Sequence, residues 1–189
     1  IYPYYKANRK KTRAKSEMDW NAIFIALNNI REELKEFFPY KVIQVESCEA
    51  DDIIAILVKH SKESVMIVSG DKDFQQLHKY DYVKQWSPNL NKLITCPDPD
   101  LFLKEHILTG DKSDGIPNIL SNDDCLDAGI RQTPLRKPIL EKYLRISIEN
   151  DDKYYRNYLR NQTLIDFDMI PEKIEDAILS EYSKVEPVK

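Results

Sequence analysis

Residues 65 to 73, VMIVSGDKD, set a short continuous apolar run directly before Ser69, Gly70 and two carboxylates. A run of this length bounded by turn residues reads as a buried strand. The segment before it, EADDIIAILVKH (49–60), reads as a helix apolar on nearly every side, and KVIQVES (41–47) before that as a strand. Helix, strand, helix, strand in this order is the pattern of an α/β fold whose mostly parallel central sheet has helices on its faces. YVKQWS (82–87) and KLITC (92–96) add two further strands, joined by a turn at Pro88-Asn89. Upstream, Ser16 and Asp19 have capping-box spacing. Trp20, Ile23, Phe24, Leu27, Ile30, Leu34 and Phe37 then repeat with helical period until Pro39 stops the helix.

The character changes after Pro97. Asp98 or Asp100 can cap a helix running to Thr109, Gly110 ends it, and further helices are expected at 134–145, 151–164 and 171–183. The expected organisation is a partial α/β domain over 1–97, with a basic segment at 1–18, followed by a helical subdomain over 98–189. The longest apolar run, IIAILV, is far too short to cross a bilayer, and IYPYYKANRKK contains no apolar signal-peptide core. Cys48, Cys96 and Cys125 are odd in number and widely spaced. They suit neither a zinc site nor a disulfide framework, and fit a reduced, cytoplasmic protein. The net charge of −4 conceals an asymmetry: KANRKKTRAK (6–15) holds Lys6, Arg9, Lys10, Lys11, Arg13 and Lys15 and no acid. A solvated terminal segment explains that run as well as a nucleic-acid contact does.

Three acidic clusters accompany these elements. Glu49, Asp51 and Asp52 follow one expected strand, Asp71 and Asp73 follow another, and Asp111 and Asp114 lie in a loop after a helix end. Ligands of open parallel sheets gather at the carboxyl ends of strands. Taken singly, each cluster is explained by turn chemistry or by the helix dipole, worth roughly 0.3–1 kcal/mol per acid. Taken together, converging carboxylates repel and raise one another's pKa values unless a cation is present. Hard divalent ions, Mg²⁺ or Mn²⁺, suit an all-carboxylate site. Two such ions about 3.5–4 Å apart are the usual device for cleaving a phosphodiester. His60, His78 and His106 are scattered and read as surface or packing residues, which sets zinc aside. D-x-D also occurs in phosphatases that form an aspartyl-phosphate, but that leaves GDKSD unexplained. DKDFQQ lacks the spacing of a Ca²⁺ loop.

The ordered motifs CEADDI, SGDKDF, GDKSDGI and YYKANRKKTR resemble those of the flap endonuclease/5′-nuclease family. LHKYDYVKQWSP, GDKSD and LIDFDMIP are most similar to its T-even bacteriophage branch, and the likeness runs from Tyr4 to about Tyr182. The resemblance implies a PIN-like 5′-nuclease fold, N-terminal part missing, with a helical C-terminal subdomain containing a helix–three-turn–helix element at GDKSDGIPNIL. It implies a divalent-metal-dependent, structure-specific 5′→3′ exonuclease and flap endonuclease that removes RNA primers and 5′ flaps in phage DNA replication. Glu49, Asp51 and Asp71 would serve one Mg²⁺ or Mn²⁺, with Asp52 nearby, and Asp73, Asp111 and Asp114 a second. Lys6 and Arg9 would contact the scissile phosphate, making Lys6, Arg9 and Asp71 the catalytic set. Tyr5 (with Tyr4), Arg13, Lys112, Arg131, Arg136 and Lys137 would bind nucleic acid.

The glycines of the family's K⁺-binding hairpin are replaced by SNDDCLDAGI, which speaks against a bound K⁺. Two further aspartates that the family carries on earlier strands have no counterpart in these residues, so the chain is expected to lack the N-terminal metal-ligand segment. Implied partners are forked or flapped DNA, RNA–DNA duplex, a single-stranded-DNA-binding protein and the replication machinery. A monomer in the cytoplasm of the host cell, with no membrane contact, is expected. The alternatives are a catalytically incomplete DNA-binding fragment and a PIN-type RNase, the latter opposed by the GDKSD loop and the helical tail.

Overall fold

The computed structural model describes residues 2–187; Ile1, Val188 and Lys189 lie outside the described residues. Two compact units are present, one formed by the chain up to Lys11 with Ser61–Met169, the other by Thr12–His60 with the segment from Ile170. The first helix, α1 (Ala7–Ala14), runs across that division.

The first unit contains the sheet. Strands β1 (Val65–Val68) and β2 (Val83–Ser87) pair in parallel, Val65 opposite Val83, and β3 (Lys92–Ile94) pairs with β2 antiparallel, Trp86 opposite Leu93. The sheet among the described residues is therefore mixed, with strand order β1-β2-β3, rather than mostly parallel. A short turn after β2 leaves room only for an antiparallel hairpin, since a parallel return needs a long crossover. β1 is also less buried than its composition suggests. Ile67 enters the core, whereas Met66 is 50% and Val68 65% exposed. An apolar run cannot by itself distinguish a strand covered on both faces from one covered on a single face.

Helix α4 (Pro99–Thr109) begins as its sequence dictates. Asp98 accepts a hydrogen bond from the Leu101 N–H at 2.9 Å, and Pro99 occupies the first turn. Gly110 ends it at φ 68°, ψ −176°, a conformation essentially reserved for glycine. A Cβ there would stand 2.4 Å from the Ile116 carbonyl oxygen. Helices α5 (Lys137–Arg145) and α6 (Asp152–Ile165) follow and pack against α4. Two clusters form the interior: Leu108, Ile119, Tyr143 and Ile148 in one, and Ile107, Ile116 and Ile165 in the other. Asn161, fully buried on α6, ties them together by donating to the carbonyls of Ile107 (2.7 Å) and Pro117 (2.9 Å).

In the second unit α2 (Trp20–Phe37) is capped by Asp19, whose carboxylate accepts from the Ala22 N–H at 3.0 Å. Ser16 is not the cap; its hydroxyl accepts locally from Met18. No residue of α2 is buried, and the apolar stripe from Phe24 to Phe37 is exposed. Helix α3 (Ala50–His60) packs against α7 (Glu172–Lys184), where Glu175 bonds both Lys59 and His60 and Ile178 is fully buried. The expected strand at 41–47 does not form: this stretch is irregular and has no ladder partner among the described residues. Apolar alternation permits a strand, but hydrogen bonds to a neighbour make one.

Candidate metal centre

The turn after β1 is built around Asp71 and a buried glutamine. The Ser69 hydroxyl accepts from the Asp71 N–H at 3.1 Å, and the Asp71 carboxylate accepts from the Asp73 N–H at 3.0 Å, capping the 3₁₀ segment Lys72–Lys79. Gln85 of β2, with no exposed surface, donates to the carbonyls of Ser69 (2.9 Å) and Asp71 (2.7 Å). This fixes the D-K-D turn against the sheet and aims Asp73 inward.

Helix α4 packs on the 3₁₀ segment and brings His106 to Asp73. The imidazole is 6% exposed; its Nδ1 lies 3.5 Å from Asp73 Oδ1, and its Nε2 lies 3.3 Å from Asp111 Oδ2. His106 was expected, like the other histidines, to be a surface or packing residue; it is buried, and it stands between two of the acids. His60, by contrast, is exposed against Glu175, and His78 packs against Gln85 at 3.2 Å. A signal for His106 exists in the sequence, because H-I-L-T-G-D puts the imidazole one helical turn before the loop that carries Asp111.

The GDKSDGI loop is closed at both ends by glycine. Besides Gly110, Gly115 has φ 75°, and a Cβ there would meet the Tyr4 carbonyl oxygen at 2.6 Å. Inside the loop the Asp111 carboxylate is 6% exposed and saturated with partners. Oδ1 accepts from the N–H (2.8 Å) and the hydroxyl of Ser113, and Oδ2 pairs with Lys72 Nζ at 2.7 Å. Its hydrogen bonds with His106, Lys72 and Ser113 hold its pKa well below the usual carboxylate range, against the opposing effect of burial. Asp73 moves the other way. Burial is the chief cause and nearby Asp71 and Asp111 add to it, pushing Asp73 up to about 6 despite the attraction of His106.

Lys6 and Arg9 meet the same loop. Both pair with Asp114, Arg9 at 2.5 Å and Lys6 at 3.6 Å, and the Lys6 N–H donates to the Asp114 carbonyl at 2.7 Å. Asp71, Asp73, Asp111, Asp114, Lys6 and Arg9 thus form one chain of contacts within the first unit, with His106 and Lys72 inserted into it. Tyr5 packs on the Ile107–Ile116–Ile165 cluster, and Lys6 Nζ sits 4.8 Å from its ring centroid. Lys112 and Arg131 are exposed and line a groove of about 460 Å³ shared with Asn118, Gln132 and Thr133. Arg136 and Lys137 stand exposed at the start of α5.

The remaining residues lie in the second unit. Asp52 accepts from the Glu49 N–H at 2.9 Å, the reciprocal half of a capping box at the start of α3, and Asp51 lies in that helix's first turn. Arg13 stacks over Phe24 (5.4 Å) and Trp20 (5.9 Å).

A cation fits the acids of the first unit. Asp73, His106 and Asp111 each present one donor atom, all within 4.8 Å of one another. Asp73 Oδ1 and His106 Nδ1 are buried without a hydrogen-bond partner. Two carboxylates and an imidazole form an ordinary donor set for a divalent ion.

Comparison with known proteins identifies the family. The family model described as the 5′–3′ exonuclease N-terminal resolvase-like domain matches residues 1–106, and that described as the T4 RNase H C-terminal region matches 97–188. The chain belongs to the 5′–3′ exonuclease family. Within that family, the ribonuclease H of Enterobacteria phage T4 is 35% identical over 194 residues, covering 95% of this chain and 63% of the phage protein. This chain therefore spans less than two thirds of the length of that relative. DNA polymerase I of Caldicellulosiruptor bescii is 30% identical over 138 residues, 62% of this chain and 15% of the polymerase. The bacteriophage T5 flap endonuclease, in a pseudo-enzyme–product complex with DNA and metal ions, shares the fold with a TM-score of 0.63. It is 23% identical, and the match covers 97% of this chain and 76% of that one. No helix among the described residues is long and apolar enough to cross a membrane.

Proposed function

We propose that this chain is part of a divalent-metal-dependent, structure-specific 5′ nuclease acting as a 5′→3′ exonuclease and flap endonuclease. Its substrates are flapped or forked DNA and RNA–DNA primers, encountered inside a phage-infected cell. The observation that carries the reading is the contact chain joining Asp71, Asp73, Asp111 and Asp114 to the two cations Lys6 and Arg9. It gathers metal donors and phosphate-binding groups in a chain that belongs to the 5′–3′ exonuclease family. We assign Asp71, Asp73, Asp111 and Asp114 to the metal centre of the first unit, and Glu49, Asp51 and Asp52 as metal-binding residues of the second; the ions are Mg²⁺ or Mn²⁺, two in number. When bound, such ions polarise phosphoryl oxygens and lower the pKa of water.

The protein's own residues do the rest. Lys6 and Arg9 exchange Asp114 for the scissile phosphate, so the cations are oriented before substrate arrives and little reorganisation is needed. The Gln85-anchored turn keeps Asp71 and Asp73 in place. Lys72 offsets the charge of Asp111 until a cation arrives. Lys112, Arg131, Arg136 and Lys137 neutralise duplex phosphates, Arg13 adds a further phosphate contact, and Tyr5 stacks on an unpaired base. Release of counterions makes such binding steeply salt-dependent. A functional division near residue 97, with five of the seven acids before it and the duplex grip after it, is supported by the junction of the two family models at 97–106.

The test is cleavage of a 5′-labelled flap substrate with and without Mg²⁺, by the wild type and by Asp71→Asn. Ion-dependent cleavage lost in the variant is expected. Cleavage undiminished in Asp71→Asn removes that residue from the site. Salt-sensitive binding of forked DNA with no cleavage at any metal concentration leaves a DNA-binding role alone.

A further inference from the structure

We propose that His106 is itself a metal ligand, coordinating through Nδ1 beside Asp73 Oδ1, with Asp111 acting as the acceptor that orients the ring. The centre would then be a mixed nitrogen–oxygen site suited to a first-row transition ion such as Mn²⁺ or Zn²⁺, not a site of carboxylates alone. This rests on the metal-centre reading given above and specifies its ligand set.

A neutral imidazole has one N–H, yet this ring faces a carboxylate at each nitrogen: Asp111 at Nε2 and Asp73 at Nδ1. The two sides are not equivalent. Asp111 Oδ2 already has Lys72 at 2.7 Å, and Oδ1 is taken by Ser113. That carboxylate is engaged and fixed, which suits it to receive the Nε2–H and hold the tautomer. A carboxylate behind a histidine in this way is the usual support for a histidine that binds metal. On the other side, Nδ1 and Asp73 Oδ1 are both buried and neither has a hydrogen-bond partner. With Nε2 protonated, the ring turns a lone pair toward a carboxylate oxygen.

The spacing suits an ion held by both atoms. Ligands about 2.1 Å from an ion lie about 3.0 Å apart in octahedral and about 3.4 Å apart in tetrahedral geometry, and the observed separation is 3.5 Å. Phe102, with its ring centroid 5.8 Å from that of His106, packs the imidazole on a further side. A nitrogen donor shifts preference from Mg²⁺, which favours oxygen, toward transition ions.

The experiment is Mn²⁺ titration followed by electron paramagnetic resonance, with spin-echo modulation used to detect ¹⁴N coordinated to the bound ion. Wild type should show imidazole ¹⁴N coupling, and His106→Gln should lose it. In that variant Mn²⁺ affinity should fall about 10-fold or more, with Mg²⁺ affinity changing much less. Labelling the wild-type histidines with ¹⁵N guards against a variant that fails to fold, because the coupling must change isotope pattern without any substitution. Mn²⁺ bound with no histidine coupling overturns the nitrogen ligand and leaves an oxygen-only centre standing. An unchanged coupling in a folded His106→Gln assigns the signal to another histidine and equally overturns it. Failure to bind Mn²⁺ at all overturns both this inference and the metal centre beneath it.

Discussion

The start of α3 and the GDKSDGI loop both carry clustered carboxylates and use them in different ways. At α3, Asp52 closes a capping box with the Glu49 N–H and Asp51 sits in the first helical turn, where the positive end of the helix dipole favours it. Asp52 thereby satisfies one of the backbone N–H groups that any helix start leaves open. In the loop, Asp111 is buried and needs Lys72, His106 and Ser113 to remain charged, while Asp114 takes Lys6 and Arg9. The first arrangement follows from local chain chemistry. The second requires groups from four separate parts of the sequence.

The comparison can be broken most forcefully at Gly110. Alanine there is forced into a glycine-only conformation and against the Ile116 carbonyl oxygen. The cost should reach about 3 kcal/mol, lowering Tm by about 6–12 °C in a thermal melt. Wild-type Tm in Gly110→Ala would show that the loop is not held as described.

Next in size is Asp111→Asn. Losing the carboxylate that orients His106 should weaken divalent-ion affinity about 10–100-fold in calorimetric titration. The same change at Asp52 should weaken it less if capping is the main task of that residue.

Asp73 gives a pH-dependent contrast. Burial raises its pKa to about 6, so between the unfolded value of 3.8 and about 6 the folded chain binds more protons than the unfolded one. Its contribution to stability therefore declines as pH rises through that window, and the penalty persists above it. With metal chelated, Asp73→Asn should raise Tm at pH 7.5 by about 3–6 °C, and the gain should shrink toward pH 4. A gain that does not vary with pH would detach it from ionisation. The smallest effect belongs to Asp52→Ala, where loss of the cap should cost about 1 kcal/mol and lower Tm by about 2–4 °C at every pH above 5.

Much of this molecule is legible locally. Asp98 caps α4, Gly110 ends it, and the helices expected at 134–145, 151–164 and 171–183 appear as α5, α6 and α7, although α2 is capped by Asp19 and not by Ser16. These signals act within a turn or two of chain. The strand expected at 41–47 and the full burial of VMIV were misread because a strand depends on partners and covering layers that the segment does not encode.

His106 marks the same boundary within the site. Sequence alone supplied the three acidic clusters, the basic segment and the family likeness, because carboxylates at strand and helix ends follow from residue order. That Asp73 faces an imidazole 33 positions along the chain was decided only when α4 packed on the 3₁₀ segment. Tertiary packing also determined which acids stay charged: Asp111 is stabilised by neighbours the fold delivers, and Asp73 is destabilised by the burial that the same packing imposes. Charge in a protein depends on surroundings, and surroundings are set by contacts distant in sequence.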